Sequence, residues 1–140
     1  MFKLKVSNEV PYSQEEAREL QALTVSSFIS KLFYFQTATK FLHLKVTGTG
    51  SFAAHLAIGD LYDTLSAICD SLTETAQTEE ILSLTHEKIN SSEVTKDIIT
   101  ELSTFVDSNR YVFSQSFQQN MIDNLTEKIA LTKYKLKFLS

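Results

Sequence analysis

The sequence predicts an all-α protein built mainly from four long helices. Its 140 residues include only one proline and three glycines, whereas all-β folds need frequent turn residues. Apolar residues make up 43% and charged residues 21%, as in an ordinary globular domain with a single hydrophobic core. In addition, apolar residues recur every three or four positions over long stretches. We therefore expect one helical domain at residues 13–140, preceded by an extended arm at residues 1–12.

The arm and the first helix meet at a recognisable helix start. Residues 2–6, FKLKV, alternate apolar and basic side chains, as an extended segment would. Ser13 and Glu16 then have the spacing of a capping box. From there a helical pattern continues to Thr-Gly-Thr-Gly at residues 47–50, where it must stop. Its apolar stripe comprises Leu20, Leu23, Val25, Phe28, Ile29, Leu32, Phe33, Phe35, Leu42 and Val46.

The second helix is predicted from Ser51, which could cap it, to about Gln77. Two long helices joined by so short a loop form an αα-hairpin. The apolar set of this second helix is Phe52, Leu56, Ile58, Leu61, Tyr62, Leu65, Ile68 and Leu72.

A long connection separates this hairpin from a second one. The sequence TEEILSLTHEKIN at residues 78–90 suggests a short helix within the connection. A third helix is predicted over residues 92–109 and a fourth from near residue 116 to about Leu139. Two helical hairpins joined by one long middle crossover are typical of a ferritin-like four-helix bundle, whereas cytokine-type bundles have two long connections.

Composition excludes several classes of function. The net charge of −4 gives no global electrostatic reason to bind DNA or anionic lipid, and the arm offers only Lys3 and Lys5, so DNA binding is weakly supported. Cys69 is the single cysteine, which excludes a disulfide framework or a thiolate zinc cluster and suits a reducing cytoplasm. No apolar run approaches the ~18 residues of a membrane span, so we expect no membrane partner.

One face of the second helix carries residues that could bind a metal. Three acids lie at roughly 80°, 60° and 100° from His55 around the helix axis: Asp63, Asp70 and Glu74. His43 lies across the turn from His55. Histidine with carboxylate suits iron, manganese or zinc. However, His55 and Glu74 are about 28 Å apart along a straight helix, so a site containing both needs a second, antiparallel copy of the chain.

The spacing of four of these residues resembles that of the Dps proteins (DNA-binding proteins from starved cells), which are small ferritin-like bundles: His43, His55, Asp70 and Glu74. The likeness covers about residues 40–77. It implies a metal site at a twofold dimer interface, to which one subunit gives two histidines and an Asp and its partner gives an Asp and a Glu. It also implies Fe(II) binding and ferroxidase activity.

The fifth position of the family pattern is Gly59 here, where the family has a bridging carboxylate. Asp63, one turn further along, is the candidate substitute, and Asp60 is a poorer one. Without a bridging acid, such a site would bind one metal instead of two, or bind metal without oxidising it. The segment HLAIGDLYD is also similar to small ferritin-like proteins encoded by bacteriophages.

Two alternative functions follow from this residue pattern and these resemblances. The first is a Dps-like homo-oligomer in the cytoplasm, built on an antiparallel dimer, that binds and oxidises Fe(II) at His43, His55, Asp63, Asp70 and Glu74. The second is a non-catalytic ferritin-like packing unit, for example in a virion or another viral assembly, with a degenerate metal site.

Overall fold

The computed structural model describes residues 13–139, with the side chains of residues 17–24 excepted. Four α-helices account for most of this range: α1 (Gln14–Lys45), α2 (Ser51–Ala76), α3 (Asp97–Asn109) and α4 (Ser116–Phe138). Two 3-10 turns, Ser91–Glu93 and Arg110–Val112, flank α3. Residues 13–139 contain no strand, which confirms the predicted all-α class. The predicted arm at residues 1–12 lies outside the described residues.

Helix α1 begins where the sequence predicts. The Glu16 amide donates to Ser13 Oγ at 3.1 Å, and the Ser13 amide donates to the Glu16 carboxylate at 3.3 Å. These two bonds are the reciprocal pair of a capping box. They satisfy two amides that a helix start would otherwise leave without partners.

The start of α2 differs from the expectation that Ser51 caps it. Ser51 is the first helical residue, and Gly50 occupies the N-cap position without any side-chain cap. Gly48 and Gly50 have φ values of 95° and 80°, in the left-handed region that glycine enters without strain. These two residues reverse the chain so abruptly that the Ser51 amide bonds back to the Gly48 carbonyl at 3.0 Å, and the glycine at the N-cap position has no side chain that could cap the helix.

Helix α4 runs antiparallel to α2. Near the start of α4, Gln118 Nε2 donates to Thr75 Oγ1 near the end of α2, at 3.3 Å. Near the end of α4, Lys135 Nζ lies 3.9 Å from the Asp60 carboxylate in the first half of α2. The two contacts fix opposite directions for the two helices.

Helix α3 runs antiparallel to α1 and closes an aromatic cluster in the core. At its start, Lys45 Nζ at the end of α1 donates to the Val94 carbonyl at 2.9 Å. Toward its end, the Phe105 ring lies 4.9 Å from that of Phe28 and 5.6 Å from that of Phe35, centroid to centroid. Phe113 packs edge-on against Phe28 at 5.0 Å, an arrangement that aromatic quadrupoles favour.

The connection between α2 and α3 contains no helix at residues 78–90, so the predicted short helix is wrong. The chain instead lies along α1, where the Thr85 amide donates to Ser30 Oγ at 2.9 Å and Lys31 pairs with Glu87 at 3.0 Å. Apolar contacts are too sparse to hold a helix there, because Leu82 is buried but Ile81 is 80% exposed.

No helix within residues 13–139 is long and apolar enough to cross a membrane.

Cys69 is fully buried on the inner face of α2. Burial, together with the neighbouring Asp70 charge, raises the pKa of the Cys69 thiol from 9.0 to about 12. Because the thiolate is the reactive form, we expect the native protein to react with an aromatic disulfide reagent roughly a thousandfold more slowly than an ordinary thiol. Absorbance of the released thiolate in mildly alkaline buffer measures the rate.

The matched control for this prediction is Ala67→Cys, which places a thiol at an exposed position two residues away. The added cysteine should react at the rate of an ordinary thiol, and Cys69 should reach that rate only once the protein is unfolded. Equal rates for Cys69 and the added cysteine would contradict the burial described above.

Candidate histidine and carboxylate site

His43 and His55 pair where α1 turns into α2. The two rings stack with their centroids 3.7 Å apart and their planes 23° from parallel. His43 Nδ1–H donates to the His55 carbonyl at 2.8 Å, and His55 Nδ1–H donates to the His43 carbonyl at 2.9 Å. Each ring is therefore bonded to the backbone of the opposite helix, and we call this arrangement the histidine pair.

These hydrogen bonds determine the tautomer of both rings. A carbonyl oxygen can only accept, so each Nδ1 carries the proton. In the neutral ring this leaves Nε2 with a free lone pair, the form in which histidine binds metals. The His43 carbonyl is also one of the last four of α1, which have no amide partner within the helix. The histidine pair thus closes the hairpin and leaves two ring nitrogens able to accept a proton or a metal.

Gly59 lies directly beneath the His43 ring. A Cβ at this position would be 2.9 Å from His43 Cε1 and 3.1 Å from His43 Nδ1, well inside the 3.5–4.0 Å that carbon atoms prefer. A carboxylate side chain at residue 59 would therefore displace the ring from its hydrogen bond. In the Dps pattern this position carries a bridging acid. Here the space for such a side chain is taken by the His43 ring, so Gly59 has a packing role of its own.

The predicted carboxylate ligands are not brought to the histidine pair within one chain. Asp63, Asp70 and Glu74 are exposed on α2, and Asp70 lies about 22 Å from His55 along the helix. Among the described side chains, those of residues 13–16 and 25–139, no group of three or more His, Cys, Asp or Glu could hold a metal ion. Of the five predicted ligands, the structure thus brings together only the two histidines.

The stacking of the two rings limits how they could bind metal. An imidazole nitrogen binds an ion in the plane of its ring, at about 2.0–2.1 Å. The two ring planes are nearly parallel, with their centroids 3.7 Å apart. No single point therefore lies in both planes at the binding distance from a nitrogen of each ring. In the observed arrangement each histidine can serve a separate ion, and both can bind one ion only after the rings unstack.

Large apolar side chains close to His43 and His55 in the sequence are exposed on the outside of the protein. Phe52 is 72% exposed, Leu44 66% and Leu56 53%, although the apolar pattern placed Phe52 and Leu56 with the core residues of α2. The position of Phe52 and Leu56 around the helix axis already indicates that they do not face the core. Phe52 and Leu56 lie at roughly 60° and 100° from His55, on the same stripe as the three acids. An exposed apolar patch of this kind indicates an interaction surface.

The packing of His43 on Gly59 predicts a reversal of sign in a double-mutant cycle. Glycine in a helix interior is less stable than alanine by about 0.5–1 kcal/mol. In the wild type, however, we expect Gly59→Ala to destabilise the protein by about 1–3 kcal/mol, as overpacking does. In a His43→Ala background the ring is gone, and the same change should stabilise by about 0.5–1 kcal/mol. Urea unfolding followed by circular dichroism measures all four proteins.

The cycle has a clear contrary outcome. If Gly59→Ala stabilised the wild type and the His43→Ala protein by the same amount, the His43 ring would not lie over Gly59.

Comparison with known proteins assigns the chain to a family. Residues 43–136, two thirds of the chain, match a family of unknown function, DUF5856. No curated protein and no solved structure matches. The matched region begins at His43 and contains the histidine pair, Gly59 and all three acids of α2. The chain therefore belongs to the DUF5856 family, whose function is unknown.

Proposed function

We propose that two copies of this chain associate antiparallel through α2 and bind Fe(II) between them, as Dps proteins do. The histidine pair of one copy and Asp70 and Glu74 of the other would supply the ligands. The observation that carries the proposal is the tautomer of the two rings. Both Nδ1 atoms are held by backbone carbonyls, an arrangement common among metal-binding histidines, and both Nε2 atoms are left as acceptors.

The connectivity of the helices supports a ferritin-like bundle. The α1–α2 and α3–α4 hairpins are joined by one long connection that lies along α1. Helix α3 consequently runs in the same direction as α2, with one crossover between them. One long crossover is what separates ferritin-like bundles from bundles with only short loops.

The distribution of residues on α2 supports the antiparallel arrangement. The stripe that includes the exposed Phe52 and Leu56 at one end bears the acids Asp70 and Glu74 at the other. A twofold axis that places His55 opposite the partner's acids crosses α2 near residue 63. The apolar end of each copy would then cover the acidic end of its partner.

In this arrangement Asp63 would not be a metal ligand. Asp63 lies about 12 Å from His55 along α2, too far to share an ion with it. Near the twofold axis it would instead face the same residue of the second chain. Two facing carboxylates repel each other, by an amount that decreases as salt screens them.

Asp63→Asn should therefore tighten the dimer. We expect the dissociation constant, measured by analytical ultracentrifugation at low salt, to fall about two- to tenfold, as loss of a like-charge repulsion of about 0.5–1.4 kcal/mol would give. The gain should shrink at high salt. The matched control is Asp107→Asn, an exposed acid on α3, which should leave the constant unchanged. A dimer weakened by Asp63→Asn would contradict the proposed axis.

A second candidate is a ferritin-like packing unit, for instance in a virion, in which the histidine pair is purely structural. What favours it is that the Nδ1 hydrogen bonds, the ring stacking and the packing on Gly59 are all satisfied within one chain. On this alternative, the acids of α2 are solvated side chains and the dimer, where formed, binds no metal.

Metal titration separates the two candidates. We expect the wild-type dimer to bind Fe(II) under anaerobic conditions, measured by calorimetry, and Glu74→Gln to weaken binding by at least about tenfold, since loss of even a supporting partner of a metal ligand costs 10–100-fold. Admission of air then measures oxidation of the bound Fe(II). Glu101→Gln, an exposed acid on α3, is the control and should bind like the wild type.

The contrary results are equally definite. A wild-type protein that takes up no Fe(II), or one whose uptake is unaffected by Glu74→Gln, would overturn metal binding at this interface. The first of these results would leave the structural candidate in place.

A further inference from the structure

A cavity of about 570 Å³ lies at the end of the bundle opposite the histidine pair. Among the described side chains, its floor is formed mainly by four apolar residues that are at least nine-tenths buried, Val25, Leu82, Val112 and Phe113, and the buried Gln118 adds a polar group. The volume lies in the range of cavities that hold small molecules or several side chains.

The described side chains on the rim of this cavity include three acids. They are Glu15 in the first turn of α1 and Glu79 and Glu80 just after α2, and all three residues are exposed. Apolar floor and acidic rim together favour an occupant that is both apolar and positively charged, because carboxylates near low-dielectric walls attract cations more strongly than in water.

The sequence contains such a segment shortly before α1. In an extended conformation residues 2–6, FKLKV, would have Phe2, Leu4 and Val6 on one face and Lys3 and Lys5 on the other. The segment is connected to α1 through Ser13, two residues before the Glu15 that forms part of the rim.

We propose that residues 2–6 dock in this cavity, with the apolar side chains on its floor and the lysines at the acidic rim. The lengths agree, since five extended residues cover about 16 Å and the two described α1 residues that line the cavity, Glu15 and Val25, are about 15 Å apart along the helix. Residues 7–12 serve as the tether. A short tether gives an effective concentration in the millimolar range, so that a weak intrinsic affinity suffices.

The absence of tryptophan from the sequence makes a direct test possible. Phe2→Trp introduces a single fluorophore into the proposed docking segment of the full chain, and acrylamide quenching measures its exposure. We expect a quenching constant at least about threefold lower than that of Tyr111→Trp, as a mostly docked segment would give. Tyr111 is 74% exposed and provides the reference for a free side chain.

Charge reversal tests where the segment docks. In the Phe2→Trp protein, Lys3→Glu with Lys5→Glu should raise the quenching constant at least twofold, and Glu80→Lys should do the same from the side of the rim. The matched control is Lys133→Glu with Lys137→Glu, which reverses two exposed lysines on α4 and should change nothing.

Three results would overturn the proposal. The first is a Phe2→Trp fluorophore quenched as readily as Tyr111→Trp, which would leave the cavity to a separate ligand. The second is protection that charge reversal at Lys3, Lys5 and Glu80 does not alter. The third is protection that disappears on dilution, which would mean that the segment occupies the cavity of another copy.

Discussion

The reciprocal hydrogen bonds between His43 and His55 are the constraint on which the arrangement of the other helices depends. They join the two longest helices at the point where the chain reverses, and they fix how far α1 is shifted along α2. The other two helices are then placed by contacts with this hairpin, α4 along α2 and α3 along α1. All three glycines of the chain allow the hairpin to close at this point, because Gly48 and Gly50 allow the chain reversal and Gly59 leaves room for the His43 ring.

The same constraint governs the chemistry available to the site. Closing the hairpin uses Nδ1 of each ring, whereas binding a metal would use Nε2, so a structural role and a ligand role can coexist in one residue. The rings must nevertheless remain stacked for the hairpin to keep its present geometry. A dimer that supplies carboxylates to each ring separately fits this requirement better than a site in which both rings bind one ion.

Much of the fold could be predicted from the sequence, because long helices carry strong local signals. The capping box at Ser13 and Glu16 and the Thr-Gly-Thr-Gly turn mark helix ends through side-chain chemistry and glycine, and both predictions agree with the structure. Residues 78–90 were predicted wrongly because a few apolar residues look alike in a short helix and in an extended segment. Only contact with α1, which is not a local property, decides between the two.

Less of the candidate site than of the fold could be predicted from the sequence. The convergence of His43 and His55 followed from the short turn, but the ring stacking and the role of Gly59 depend on the distance between two helices, which no residue spacing specifies. The acids of α2 illustrate the other limit. Their common face could be predicted from helical geometry, whereas the partner that would meet this face is a property of two chains.

The tautomers of His43 and His55 test the central claim most directly. Long-range proton–nitrogen correlation spectra of the nitrogen-15-labelled protein, recorded in mildly alkaline buffer, identify which ring nitrogen carries the proton. We expect both histidines to be protonated at Nδ1, with the exposed His86, whose Nε2 lies 3.3 Å from the Thr37 hydroxyl, as the internal comparison. Protonation of either His43 or His55 at Nε2 would contradict the reciprocal hydrogen bonds and with them the proposed availability of the two nitrogens for metal.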